Sequence, residues 1–272
     1  MTSRWRTETI GDATLICGDA REVLPAIRAA DMVMMDPPYG HNNNNGDLIH
    51  RREAALGRPP SDGDTSVGRP IANDGPEANE LLRAILPELR RILPPGGCCC
   101  CCCGGGPDPQ FARWSLWLDE VLNFKQMVVW DKGPMGMGWH YRRSYETVLV
   151  AEKPGAACRW FDKTSAVENI IRPGSLPVNK IIPGAEHHPT EKPLGLKAHF
   201  IRLHTEPGHT VLDPFMGSGS TGAAAISLGR KFIGIEIDEV FFDGCVRRLE
   251  RLQDAPLFDE PRAKPTQELL DL

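Results

Sequence analysis

The sequence lacks any apolar run long enough to span a bilayer, and residues 1–10 are polar, without the apolar core of a signal peptide. It also lacks a basic excess. The formal net charge of −5 excludes a generally basic surface that coats nucleic acid, so any such contact would be local. No internal repeat is visible. With 272 residues, 41% of them hydrophobic, the chain is predicted to be soluble and cytoplasmic, with one large domain or one domain plus a small insertion.

Cysteines at the spacing of a metal site or a disulfide framework are missing as well, although the chain has nine cysteines. Six of them form the run 98–103, and Cys17, Cys158 and Cys245 stand alone. Neighbouring residues of a strand point to opposite faces, so the run cannot form a tetrahedral cage with the usual two-residue spacers. Cysteine packs as a small hydrophobe, and a run after two prolines and two glycines favours a strand buried on both faces over metal or redox chemistry. No metal site is predicted.

The rest of the chain alternates short apolar segments with amphipathic ones. Strands are predicted at 14–17, 32–35, 98–103, 126–130, 147–151, 210–212 and 232–235, and helices at 20–29, 77–93, 111–122, 194–204, 220–228 and 238–252. This alternation predicts an α/β fold with a doubly wound sheet and ligands at its carboxyl edge.

Three stretches interrupt the pattern. The polar segment 41–76, with four consecutive asparagines, predicts a long loop or lid, and 152–189 predicts an irregular insertion. The acidic, proline-marked segment 253–272 predicts a disordered tail. We therefore expect one domain over residues 1–252, with the two irregular segments inserted in it.

The first chemically distinctive stretch is Met-Val-Met-Met-Asp-Pro-Pro-Tyr-Gly at residues 32–40. Pro37 and Pro38 stop the strand because each lacks an N–H, which leaves Asp36 at the carboxyl edge of the sheet. The amino group of a planar base could donate to the Asp36 carboxylate and the Pro37 carbonyl, with Tyr39 stacked on the base. The alternative is an ordinary turn in which Asp36 only caps backbone groups.

The second such stretch is residues 211–222, where Gly217, Gly219 and Gly222 follow a strand and open a helix. Glycines allow a tight turn close to a ligand, and the next strand ends at Glu236, where an acid commonly binds the hydroxyls of a ribose. These features favour an adenosine cofactor. Asp213 would repel a pyrophosphate and suits the cationic end of S-adenosylmethionine, although a nicotinamide dinucleotide remains the alternative.

Three motifs together resemble the DNA amino-methyltransferases of the N4-cytosine/N6-adenine type, the DNA methylase N-4/N-6 family. They are Asp36-Pro37-Pro38-Tyr39, Asp213-Pro214-Phe215-Met216-Gly217-Ser218-Gly219 and His188-Pro189-Thr190-Glu191-Lys192-Pro193. Their order, with the tetrapeptide before the glycines, is similar to that of the circularly permuted β group, and the resemblance covers residues 14–252. It implies a seven-stranded, Rossmann-like methyltransferase fold, S-adenosylmethionine as methyl donor and a base flipped out of double-stranded DNA as acceptor.

The Asp-Pro-Pro-Tyr form is more often found with adenine N6. Cytosine N4 and a ribosomal RNA base remain alternatives, as does a module that binds cofactor and DNA without turnover. The chain departs from the family in its target-recognition domain, for which the only candidates are the short segments 41–76 and 152–189. This departure leaves open whether the recognition sequence is short, relaxed or dependent on a partner. The resemblance leaves open whether a cognate restriction nuclease accompanies the chain and whether the chain forms a homodimer.

The resemblance also implies roles for individual residues. The catalytic group would be Asp36, Pro37, Pro38 and Tyr39. Cofactor binding is expected from Asp19, Asp213, Pro214, Phe215, Gly217, Ser218, Gly219, Ser220, Thr221, Glu236, Thr190 and Lys192. The base pocket and DNA contacts are expected from Trp139, His140, Tyr141, Arg142 and Arg143. Asp19 could equally be a plain helix cap, Phe215 a core residue and Lys192 a surface charge.

Overall fold

The computed structural model describes residues 4–41, 70–104, 110–135, 140–176 and 192–254. Its strands are β1 (Arg6–Ile10), β2 (Ala13–Cys17), β3 (Met32–Met35), β4 (Cys98–Cys103), β5 (Asn123–Asp131), β6 (Tyr145–Glu152), β7 (Ile170–Ile171), β8 (Thr210–Asp213) and β9 (Lys231–Glu236). Its helices are α1 (Ala20–Val23), α2 (Ala78–Ile92), α3 (Gln110–Val121), α4 (Leu194–His204), α5 (Ser220–Ser227) and α6 (Glu239–Asp254). A 3₁₀ turn, Leu24–Ala26, continues α1.

The strands form one sheet in the order β1-β2-β9-β8-β3-β4-β6-β5-β7. The run from β2 to β4 is parallel, and β6 and β5 extend it with antiparallel pairs. All seven predicted strands are present. The two that were not predicted are the outermost ones: β1 is polar and mostly exposed, and β7 has only two residues.

Both faces of the sheet carry helices, because neighbouring residues of each central strand point to opposite sides. Met32 and Met34 pack into the core beneath α4, α5 and α6, whereas Val33 and Met35 pack into the core beneath α1, α2 and α3. The cysteine strand β4 divides in the same way and is buried throughout, as predicted. Its thiols are not in disulfides. The doubly wound α/β fold is therefore confirmed.

The sheet has a topological switch point between β3 and β8, which are parallel neighbours with Met32 opposite Val211. From β8 the chain crosses through α5 to β9, and from β3 it crosses through α2 to β4 on the other side. Diverging crossovers leave a crevice at the carboxyl ends of the strands. The segments after Met35 and after Leu212 therefore open into the same crevice.

Parts of the predicted organisation lie outside the described residues: 42–69 of the long loop, 177–189 of the insertion and the tail after 254. The single domain with two insertions thus stays a prediction. Helix α1 is shorter than the helix predicted over 20–29, since Pro25 enters a 3₁₀ turn. Within the described ranges no helix combines the length and apolarity needed to cross a membrane.

Candidate active site

A cavity of about 460 Å³ lies at the carboxyl ends of β3, β8 and β9. It brings together the two sequence stretches that are far apart along the chain. Its lining includes Asp36, Pro37, Pro38 and Tyr39 on one side, and Asp213, Pro214, Phe215, Met216, Gly217 and Ser218 on the other. Both stretches therefore share one rim of the sheet.

The Asp36 half of the cavity is built around a buried lysine. Lys192 is only 5% exposed, and its Nζ lies 3.0 Å from Asp36 Oδ2 and 3.3 Å from Glu146 Oε2. The Tyr39 hydroxyl donates a hydrogen bond to Asp36 Oδ1, and Lys192 Nζ lies 5.1 Å from the centre of the Tyr39 ring. The carboxylate of Asp36 is therefore fixed on both of its oxygens.

The charge of Asp36 follows from these neighbours. Burial by itself would raise the pKa of Asp36, but Lys192 and then Lys197 outweigh burial and lower the pKa below its ordinary value. Burial lowers the pKa of Lys192, yet Asp36 and Glu146 more than compensate and raise it. At neutral pH the site therefore holds an ionised carboxylate next to ammonium groups.

The sequence did not reveal two members of this cluster, Glu146 and Lys197. A third member, Lys192, was expected beside the cofactor, whereas the structure pairs it with Asp36. Glu146, which also accepts from Lys132 Nζ at 2.7 Å, lies near the start of an apolar strand. Lys197 is 1% exposed within α4 and its Nζ lies 3.5 Å from Cys102 Sγ. The one sequence signal for Lys197 was the position of this lysine on the buried face of an apolar helix.

The other half of the cavity is formed by the glycine turn. Gly217 and Gly219 have φ angles of 49° and 79°, and a Cβ at Gly219 would overlap the Cys245 thiol. Glu236 holds this turn, because its Oε2 accepts from the Gly217 N–H at 2.9 Å and its Oε1 from the Asp238 N–H at 2.9 Å. Burial raises the pKa of Glu236 to about 7.

Asp213 lies beneath the turn and is 1% exposed. It accepts from the Thr221 hydroxyl at 2.6 Å and from the Phe215 N–H at 3.0 Å. Burial raises the pKa of Asp213 to about 6, although Lys197 acts in the opposite direction. Asp213 and Thr221 thus shape the turn. Gly219 and Thr221 are not among the residues that line the cavity, whereas Ser218 and Ser220 are.

Asp19 caps α1, since its Oδ1 accepts from the Arg21 N–H at 2.8 Å, and it also lines the cavity. Its contact with a cofactor stays a prediction. Phe215 likewise lines the cavity and packs against the core beneath α1, α2 and α3. A glycine turn with backbone N–H groups, flanked by two carboxylates and an aromatic ring, suits the polar and planar parts of an adenosine cofactor.

The residues expected to contact the base and the DNA are only partly brought to the cavity. Arg143 lines it, together with Trp130 and Lys132, which the sequence did not single out. Tyr141 is 88% exposed, and His140 and Arg142 are exposed and not among the lining residues. Trp139 and Thr190 lie outside the described residues.

Comparison with known proteins agrees with this arrangement. Residues 30–247 match the family model for DNA methylase of the N6/N4 methyltransferase type. The chain is 29% identical over 266 residues to the DNA adenine methyltransferase YhdJ of Escherichia coli (strain K12), covering 87% of this chain and 82% of YhdJ. It is also 34% identical over 119 residues to the type II methyltransferase M2.DpnII of Streptococcus pneumoniae, covering 41% of this chain and 44% of M2.DpnII.

Among solved structures, the crystal structure of the M1.HpyAVI–SAM complex matches with a TM-score of 0.59 and 25% identity, covering 87% of this chain and 99% of that chain. The match to the family model extends over both motif stretches and most of the sheet. The chain therefore belongs to the N6/N4 DNA methylase family and is an S-adenosylmethionine-dependent DNA methyltransferase.

Proposed function

We propose that this protein methylates the exocyclic N6 amino group of adenine in double-stranded DNA, with Asp36 as the catalytic carboxylate. The observation that carries the proposal is the ionised Asp36 at the rim that it shares with the glycine turn. The relative named as a DNA adenine methyltransferase supports adenine as the target base.

The amino nitrogen of adenine is a weak nucleophile, because its lone pair is delocalised into the ring. Asp36 and the Pro37 carbonyl are placed to accept the two N–H bonds of that group, which favours a pyramidal nitrogen with its lone pair directed at the cofactor. When bound, S-adenosylmethionine supplies an electrophilic methyl group. The nitrogen lone pair would form the new N–C bond as the methyl–sulfur bond of the cofactor breaks and S-adenosylhomocysteine leaves. The N–H proton lost from the nitrogen would pass to the Asp36 carboxylate. Holding both reactants in contact supplies much of the acceleration.

Lys192 acts as a positioning residue in this proposal. It holds Asp36 Oδ2 at 3.0 Å and keeps the carboxylate ionised despite its burial. Glu146, at 3.3 Å from the same Nζ, fixes the lysine from its other side. The Tyr39 ring would stack on the extruded base and offset part of the cost of unstacking, which is a few kcal/mol.

The glycine half would hold the cofactor. We assign the ribose hydroxyls to Glu236 and the adenine end to the region of Asp19 and Phe215, which line the cavity on that side. Asp213 and Thr221 would support the turn from beneath, since they already hydrogen bond to each other. The DNA would approach from the side of Arg143.

The relative M2.DpnII is named as a type II methyltransferase, which supports the further proposal that a restriction nuclease of the same specificity accompanies this protein. A host that carries the modification but no nuclease cleaving the unmodified site would contradict this proposal. Sequencing DNA from expressing cells with modified-base detection would give the recognition site that this comparison needs.

Incubation of unmethylated double-stranded DNA with tritiated S-adenosylmethionine, followed by digestion to nucleosides, tests the target base. We expect the label in N6-methyladenine. Label in N4-methylcytosine would overturn the adenine assignment, and label only in RNA substrates would overturn DNA as acceptor. If the purified protein bound the cofactor but transferred no methyl group to either polymer, catalysis itself would be excluded.

A further inference from the structure

At the amino end of β4, away from the cavity, three side chains with metal-binding atoms converge. Cys98 and Cys100 lie on the same face of the strand, and their Sγ atoms are 3.6 Å apart. His204, the last residue of α4, lies beside them, and the ligand atoms of the three residues are all within 4.8 Å of one another. All three side chains are buried. Two thiolates bound to one tetrahedral zinc ion at about 2.3 Å would be about 3.8 Å apart, close to the observed separation.

The His204 ring is oriented as a metal ligand requires. Its Nδ1 lies 3.1 Å from the Arg159 carbonyl oxygen, and a carbonyl can only accept, so Nδ1 carries the proton. In the neutral ring the lone pair is then on Nε2, the nitrogen that could bind a metal. An Nδ1–H donated to a backbone carbonyl is the arrangement that fixes the tautomer of many metal-binding histidines.

The segment 153–161 is hydrogen bonded to the residue that lies two positions before Cys98. The Gly96 N–H donates to the Lys153 carbonyl at 2.8 Å, and the Arg159 N–H donates to the Gly96 carbonyl at 2.9 Å. A Cβ at Gly96 would overlap the Ala157 carbonyl oxygen, so the close contact depends on glycine.

The opposite face of the same strand is a natural comparison. Cys99, Cys101 and Cys103 pack into the core beneath α1, α2 and α3 among apolar side chains, as small hydrophobes do. Among the described residues, a histidine meets the thiols on the face of Cys98. Thiolate sulfur and imidazole nitrogen are the ligand atoms that zinc prefers.

We propose that Cys98, Cys100 and His204 bind one Zn²⁺ ion, which ties the end of α4 to the amino end of β4. Cys102, which lies beside the catalytic cluster, is four positions along β4 from Cys98 and two from Cys100, or roughly 13 Å and 7 Å at 3.3 Å per residue. The ion is therefore structural and takes no part in methyl transfer.

Protein purified without a polyhistidine tag, loaded with zinc and passed through gel filtration, tests the proposal by elemental analysis. We expect about one zinc per chain, and a decrease in melting temperature of several degrees on chelation. Cobalt loading should give a thiolate-to-metal charge-transfer band. The double variant Cys98→Ala/Cys100→Ala should lose both signals, and the matched variant Cys99→Ala/Cys101→Ala should keep them.

The proposal is overturned if the wild-type protein retains less than roughly a tenth of a zinc per chain and shows no charge-transfer band. It is also overturned if the two double variants bind zinc equally. Should Cys98→Ala/Cys100→Ala fail to fold, the cobalt spectrum of the wild-type protein still decides the question.

Discussion

Asp36, Asp213 and Glu236 all line the cavity, but its two halves surround these carboxylates with different partners. Asp36 is next to Lys192 and Lys197, and its pKa is lowered despite burial. Asp213 and Glu236 are held by neutral N–H and O–H donors, and burial raises their pKa values to about 6 and about 7. Partners, more than burial, therefore decide whether the pKa of a buried acid is lowered or raised. The acid with the lowered pKa is the one we assign to catalysis, and the other two shape and line the cofactor side.

Replacing Asp36 should impair methyl transfer but not cofactor binding. We expect Asp36→Ala to lower kcat by about 10³-fold, because it removes the acceptor of the amino protons. Cofactor affinity should stay within severalfold of wild type, since the glycine turn is untouched. Single-turnover methyl transfer and calorimetry measure the two quantities. A variant that transferred methyl groups normally would show that Asp36 is not the catalytic group.

Replacing Lys192 tests whether its positive charge keeps Asp36 ionised. In Lys192→Met, burial of Asp36 is less opposed, so its pKa rises and the carboxyl becomes protonated near neutral pH. We expect kcat at about pH 7 to fall roughly 100-fold and to recover as the pH rises. Lys192→Arg, which keeps the charge, is the control and should retain the pH profile of the wild type. A purely structural role for Lys192 predicts a loss that does not change with pH.

A substitution on the side of the glycine turn should instead change cofactor affinity more than kcat. We expect Glu236→Gln to weaken cofactor binding about tenfold, or about 1.4 kcal/mol, with kcat nearly unchanged. Because the pKa of Glu236 is about 7, wild-type affinity should fall as the pH drops below that value, whereas Glu236→Gln should show a flat profile. Calorimetric titrations across this pH range give both results. Equal slopes in the two proteins would remove Glu236 from the cofactor site.

The smallest effect is expected on folding stability. The pKa of Asp213 in the folded protein, about 6, lies above its ordinary value of 3.8. The proton therefore stabilises the fold at low pH, and this contribution is lost as the pH rises through the folded pKa. Relative to Asp213→Asn, the wild type should lose about 2 kcal/mol of unfolding free energy between about pH 4 and about pH 7. Urea denaturation at both pH values measures the difference, which would vanish if Asp213 titrated normally.

The fold was predictable because its determinants are local. Apolar runs such as 32–35 and 98–103 predict buried strands, and the alternation with helices predicts a sheet with its site at the carboxyl edge. Strand β1 escaped prediction because Arg6 and Glu8 give it no apolar pattern. The polar strand is identified only by its pairing with β2.

The partners of the site residues were less predictable, because they come from distant elements. The position of Asp36 at the edge of the sheet could be predicted from its own segment. The contacts of Lys192 with Asp36 and Glu146, in contrast, depend on how α4 and β6 pack on the sheet. The cysteine run shows the same limit. Alternation rules out a cage made of adjacent cysteines, but it cannot reveal that Cys98 and Cys100 meet His204.

The most direct measurement is a crystal structure of the protein with S-adenosylhomocysteine and DNA that contains its methylation site. The account predicts an adenine flipped into the cavity, stacked on Tyr39, with its amino nitrogen about 3 Å from both the Asp36 carboxylate and the Pro37 carbonyl. An amino nitrogen beyond hydrogen-bonding distance of Asp36, or a target base other than adenine in the cavity, would contradict it.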